Sequence, residues 1–222
     1  MIEHYNHKSL SNIVVDYIRN KILLSEYKEG DHVLESEVAS ALGISRAPVR
    51  EGIKELVSQG LIKTIPRKGN YVVKLNQDDL QEIFDIRLLL ESSVIETLIN
   101  KKLLKDSDFE VLNKYIEGMI TISHEDAPEN DRINRINEKD TEFHQYLWLK
   151  SGSQRKFKIL SDLYSQLRMA MIIDTRQTGN LDRTAKDHLN IVKTLKQGDI
   201  KGCKKALRDH IEFYVSREQD NN

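Results

Sequence analysis

The sequence predicts a mainly α-helical chain in two parts: three helices with a β-hairpin, then an all-α antiparallel bundle. Three observations carry that prediction. Apolar residues recur every three or four positions from Leu10 to Val57, the spacing of helices that each bury one face. Two β-rich runs, "LIKTI" and "YVVKL", flank "PRKGN", a turn sequence with Pro and Gly. After the polar, turn-like "LNQDDL" the pattern is helical throughout, so a boundary near residues 74–78 divides the chain into 1–75 and 76–222.

The first helix is expected from Leu10, with Ile13, Val14, Tyr17, Ile18 and Ile22 completing its apolar stripe. A "KEGD" turn follows. Leu34, Val38 and Leu42 then mark a shorter second helix that stops at Gly43, a natural terminator. Ser45 is placed to cap a third helix, Pro48 lies in its first turn where proline is tolerated, and Val49, Ile53, Leu56 and Val57 form the stripe to be buried. Gly60 ends it.

Helix, Gly-containing turn, helix and hairpin make a winged helix-turn-helix, in which the second helix of the pair fits a DNA major groove. Arg46, Arg50 and Lys54 stand four apart on that helix and share a face. Taken alone, such a ridge is also what a solvated helix surface looks like. Arg67 and Lys68 at the hairpin tip favour a nucleic-acid surface, and composition agrees. The chain carries a formal net charge of −1, yet residues 45–74 hold seven Lys/Arg against two Asp/Glu.

Composition also narrows the setting. Cys203 is the single cysteine, which excludes a disulfide framework and a cysteine-built zinc site and favours a cytoplasmic address. "MIEHYNHKSL" does not read as a signal peptide, and no apolar run approaches the ~20 residues of a membrane span. Cys203 itself reads as a small core residue.

In the second part, Leu80, Ile83, Phe84, Val94 and Leu98 mark a long helix, with Arg87 and Glu91 on the same stripe. Those two either pair with each other, or Arg87 offers its guanidinium to a bound carboxylate. A helix over about 107–122 and a solvated "SHEDAPEND" loop precede a face bearing Ile136, Asp140, Phe143, His144 and Leu147. Ala185, His188, Val192 and Leu195 form one later stripe, and Cys203, Ala206, Leu207, His210 and Tyr214 the next, with "QGD" as the turn between. His188 and His210 are equidistant from Asp199, so an antiparallel hairpin sets the two imidazoles at one level. Two pairs of ligand-type residues on buried faces point to a His₃Asp site for a divalent ion. The alternative is a polar core network. His4, His7, His32 and His124 fall in tail or loop contexts and suggest no site.

The run "LESEVASALGISRAPVREGIKELVSQGLIKTIPRKGNYVV" resembles the winged helix-turn-helix of the GntR family of bacterial transcription regulators. The resemblance implies that Ser45, Arg46, Ala47, Pro48 and Arg50 line the reading helix. Arg67, Lys68 and Gly69 would form the wing tip, and Ser36 would approach a backbone phosphate. "LQEIFDIRLLLE", "DTEFH" and "DHLNIVKTLKQGDIKGCKKALRDH" resemble the helical ligand-binding domain of that family's FadR-type, or FCD, branch. Its metal-binding members place an Asp and three His at positions matching Asp140, His144, His188 and His210, and an arginine at Arg87. "LKSGSQ" departs from the pattern, where many relatives carry Asn. Arg168 and Arg176 lie in a loosely matching stretch and are further candidates.

The expectation is a homodimeric, DNA-binding regulator, by the family's habit a repressor. It would read a pseudo-palindromic operator in double-stranded DNA under control of a small organic acid. Zn, Ni, Mn and Fe suit the ligand set alike. Two rival readings are a metalloenzyme with an accessory DNA-binding head and a metal that only closes the helices together.

Overall fold

In the computed structural model, residues 9–178 and 180–212 are described; His4, His7 and Tyr214 lie outside them. The chain forms two compact units, Met1–Leu75 and Asn76–Asn222.

The first unit runs α1 (Leu10–Leu23), β1 (His32–Val33), α2 (Glu35–Leu42), α3 (Arg46–Ser58), β2 (Ile62–Ile65) and β3 (Gly69–Val72). Ser9 caps α1 by accepting from the Asn12 amide, and Gly43 ends α2 in the left-handed conformation. Strands pair antiparallel in the order β1-β3-β2. The core holds Val14, Ile18, Val38, Val49, Ile53, Leu56, Leu61 and Val72. Gly52 is where α1 and α3 touch: a Cβ there would lie 2.6 Å from Val14 Cγ1.

Several expectations need correction. Leu10, Ile13, Leu34 and Val57 are exposed rather than buried. The buried face of α1 carries Val14, Val15, Ile18 and Ile22, so it is rotated towards Val15 and leaves Leu10 and Ile13 on its flank. Leu34 is the N-cap of α2, outside the helix proper. Val57 falls between the core stripe of α3 and the Arg46–Arg50 flank. β3 starts at Gly69, not Tyr71, because Ile65 pairs with Gly69 and Thr64 with Asn70. β1 gave no sequence signal, since two residues are too few to show a period of two.

The second unit contains α4 (Gln77–Asn100), α5 (Asp106–Ser123), α6 (Glu129–Lys150), α7 (Gln154–Thr178), α8 (Leu181–Gln197) and α9 (Ile200–Glu212). Asn76 and Asp79 cap α4 reciprocally. Asn180 caps α8, and Gly198, left-handed, turns the chain into α9. Packing joins α5 to α6 and α8, α8 to α9, and α4 to α6, α7 and α9. Leu98, Leu112, Ile116, Met119, Ile136, Phe143 and Trp148 fill the interior. Each such side chain contributes roughly 1.5–3 kcal/mol relative to exposure. That packing brings one face each of α4, α6, α8 and α9 to a common centre. No helix among the described residues is long and apolar enough to cross a membrane.

Candidate metal centre and nucleic-acid interface

The charged centre of the bundle is assembled from four helices. Asp140 and His144, four apart on α6, are 0% and 1% exposed; His188 on α8 and His210 on α9 are 0% and 1%. Asp140 Oδ2 lies 3.1 Å from His188 Nε2 and 3.3 Å from His210 Nε2, and Oδ1 lies 3.8 Å from His144 Nε2. The hairpin argument holds: the His188 and His210 rings are 4.3 Å apart between centroids.

The donor chemistry fits a divalent cation. One ligand atom from each of the four residues lies within 4.8 Å of every other. That is a few tenths of an ångström wider than the ~4.4 Å that donors on opposite sides of one ion can span. Two rings have their tautomers set from behind. His144 Nδ1 donates to the Glu91 carboxylate at 2.6 Å, and His188 Nδ1 donates to the Thr184 carbonyl at 3.0 Å. In both, Nε2 is left as a lone-pair donor facing inward. Asp140 Oδ2, His144 Nε2 and His188 Nε2 are fully buried, and none makes a well-formed hydrogen bond. Lone pairs converging on one point are what a bound cation would satisfy.

Protonation agrees. Burial opposes ionisation of Asp140, but the facing His188 and His144 rings hold its carboxyl well below the usual range. Burial likewise opposes ionisation of Glu91, and His144 and Arg87 overcome it and bring the group down to about 2. Burial, aided by the neighbouring His188, lowers His210 to about 3. Burial also lowers His144, with Arg87 acting in the same sense. Ionised carboxylates, with burial opposing protonation of His144 and His210, are what metal binding by such groups requires. Cys203 is buried, and desolvation raises its thiol to about 11, as a core role requires.

Arg87 makes the expected pair with Glu91 and turns the rest of its guanidinium towards Asp140 and Met171. Its Nε donates to Glu91 at 2.8 Å, the i, i+4 pair, while Nη2 reaches Asp140 Oδ1 at 3.5 Å and Nη1 lies 3.7 Å from Met171 Sδ. Glu91 is therefore the residue that sequence reasoning undervalued. It ties Arg87 to His144, and its signal was a carboxylate on an apolar stripe. Met171 and Thr175 on α7 were missed because that stretch carried no ligand-type pattern. Of the two further arginines, Arg176 is exposed and Arg168 half-buried.

In the first unit, Ser36, Ser45, Arg46, Ala47, Arg50, Lys54, Arg67 and Lys68 are exposed, with Pro48 and Gly69 half-buried. Ser45 is the α3 N-cap, but its side chain makes no capping hydrogen bond. Arg50 Nε donates to Glu35 on α2 at 2.8 Å, and Lys54 pairs with Glu51 at 2.9 Å. The wing turns at Pro66-Arg67, closed by Lys68 N–H to Ile65 O at 3.0 Å, with Arg67 at φ +63°. This is a type II arrangement, with Pro at its first central position. Gly69 follows at φ +111°, and a Cβ on it would collide with the His32 ring. That ring stacks on Tyr71 at 4.7 Å.

Comparison with known proteins matches both units. Residues 10–72 match "Bacterial regulatory proteins, gntR family", and residues 82–213 match the FCD domain. The HTH-type transcriptional regulator YdhC of Bacillus subtilis is 25% identical over 201 residues, covering 90% of this chain and 85% of that protein. The gluconate operon transcriptional repressor of the same organism is 35% identical over 127 residues, 55% of this chain and 50% of the relative. The E. coli McbR/YncC structure, 20% identical, shares the fold with a TM-score of 0.77 over 97% of this chain and 100% of that one. The chain thus belongs to the gntR family of bacterial regulatory proteins, a DNA-binding transcriptional regulator whose helical unit is an FCD domain.

Proposed function

We propose that the protein is a homodimeric repressor whose bundle binds a small carboxylate at a divalent ion held by Asp140, His144, His188 and His210. The observation that carries this reading is the convergence of four buried ligand atoms, with the His144 and His188 tautomers set by Glu91 and Thr184. A bound divalent ion would supply open coordination positions for carboxylate or hydroxyl oxygens. The protein's own contribution is countercharge from Arg87, which neighbours Asp140, and deep burial, which strengthens charge recognition. Relatives named as repressors support the repressor reading for this chain.

On the DNA side, Arg46 and Arg50 are the groups for base edges, with Ser45, Ala47 and Pro48 beside them on the reading helix. Arg67, Lys68, Gly69 and Ser36 serve backbone contacts. One such helix gives a small interface, so two, related by a two-fold axis, read a pseudo-palindrome. The acid regulates to the extent that it binds the DNA-competent and incompetent arrangements with different affinity.

The test is metal analysis of purified protein before and after chelation, beside Asp140→Ala. About one ion per chain in the wild type, absent from the variant, is expected. Wild-type protein that takes up no divalent ion under any loading condition would end the metal reading and leave the DNA-binding assignment intact.

A further inference from the structure

We propose that the seam between α8 and α9 is the route by which a divalent ion reaches the centre, with Asp187 and Asp209 receiving the hydrated cation and His210 passing it inward. The proposal rests on the metal reading above and adds how the site is filled. A groove of about 310 Å³ runs along the α8–α9 hairpin. Asp187, Asn190 and Lys193 line it from α8, and Lys205, Asp209 and His210 from α9. His210 therefore serves two places at once. Its Nε2 lies 3.3 Å from Asp140 Oδ2 in the buried centre, and the same residue, 1% exposed, lines the groove. A single imidazole joins the groove to Asp140.

The sequence explains the placement. The dipeptide Asp-His occurs at 187–188 and again at 209–210, one copy on each arm of the hairpin. Successive residues differ by about 100° around a helix axis, so each Asp is turned to a different face from its His. Both imidazoles go inward to Asp140, and both carboxylates come to the groove. Carboxylates thus stand on either side of His210: Asp187 and Asp209 outside, Asp140 inside. A cation passing between them exchanges one set of oxygen ligands for another, with a ring nitrogen available at the step between.

The outer carboxylates are held loosely. Asp187 Oδ2 lies 3.8 Å from Arg183 Nε, and Asp209 Oδ2 lies 3.8 Å from Lys205 Nζ, the Lys205 side chain being 79% exposed. Ion pairs that long and that exposed contribute little, so a doubly charged ion displaces the single charge from either carboxylate. The other lysine of the groove, Lys193, stands about 9 Å along α8 towards the turn. Negative charge is concentrated at the end of the groove where His210 lies, which is the end that an incoming cation has to reach.

The experiment mixes metal-free full chain with Co²⁺ by stopped flow and follows quenching of Trp148, the single tryptophan, buried one turn beyond His144 on α6. Release is timed after adding excess chelator, and equilibrium affinity is measured by chelator competition. The double variant Asp187→Asn, Asp209→Asn is expected to slow uptake at low salt about tenfold, to slow release by about the same factor, and to leave Kd within about threefold. Entry and release share one path, so residues on it change both rates together. A lost ligand or a damaged site would instead raise Kd through faster release. Lys205→Gln, which frees Asp209, is expected to speed uptake about two- to fivefold. Uptake unchanged in the double variant, or a weaker Kd with uptake intact, overturns the route. Should the double variant fail to fold, Lys205→Gln decides, and unchanged or slower uptake overturns the route. Wild-type protein that binds no Co²⁺ at equilibrium would retire the metal reading itself, and the route with it.

Discussion

His144 donates its Nδ1 proton to Glu91 at 2.6 Å, and the same ring presents Nε2 towards Asp140 at 3.8 Å. A carboxylate behind a ligand imidazole fixes both tautomer and orientation, and raises the basicity of the inward nitrogen. Glu91→Gln keeps the size but permits the opposite tautomer and removes the countercharge to Arg87. The expected loss in metal affinity is about 10–100-fold, read by competition with a chromophoric chelator. Affinity unchanged from the wild type would show that Glu91 serves Arg87 alone.

Acid should destabilise the metal-free protein, and the sign follows from burial. His210 is held at about 3 when folded against 6.5 for the free side chain. Between those values the unfolded chain binds the extra proton, so stability is complete above about pH 6.5 and falls as pH drops towards 3. The lowered carboxyls of Glu91 and Asp140 act in the same direction, their contribution being lost as pH falls below about 4. Thermal melting of chelated protein from pH 8 to 4 should show a steady fall in Tm below 6.5. A flat profile would mean the centre is hydrated enough for His210 to titrate normally.

Much of this centre was legible because helical periodicity is strict. Asp140 with His144 at i+4, and His188 with His210 equidistant from a Gly-containing turn, fix levels and faces without coordinates. Met171 and Thr175 were not legible, since thioethers and hydroxyls on a helix carry no sign of whether a partner waits across the interface. The same limit hid β1, whose two residues pair with β3 through tertiary contact alone. Exposure of Leu10, Ile13 and Val57 was misread where a three-to-four spacing continues past the edge of the face that the neighbouring helix covers.

The wing makes a second demand on a single residue. Gly69 holds φ +111°, and the His32 ring occupies the space a Cβ would need. Gly69→Ala therefore meets both a backbone penalty of about 1–3 kcal/mol and a steric one. The expected result is a shallower dependence of DNA affinity on salt, by about one to two phosphate contacts, as Arg67 and Lys68 lose their placement. His32→Ala in the same chain should restore part of the slope by relieving the collision and not the strain. An unaltered slope in Gly69→Ala would remove the wing tip from the DNA interface.

Arg50 donates to Glu35 at 2.8 Å across the helix-turn-helix, with Arg50 more than half exposed. An exposed pair of this kind is worth about 0–1 kcal/mol, less than the ~1–3 kcal/mol a bidentate arginine–guanine contact contributes to base discrimination. DNA can thus take Arg50 from Glu35 at modest cost. Arg50→Ala should reduce operator discrimination by that ~1–3 kcal/mol with little change in Tm, and Arg46→Ala should act similarly. Glu35→Gln separates the two roles: it removes the competing carboxylate, so affinity for all DNA should rise while operator preference is retained. If Arg50→Ala instead lowers Tm and leaves discrimination intact, the arginine belongs to the fold of the helix pair and base reading rests on Arg46.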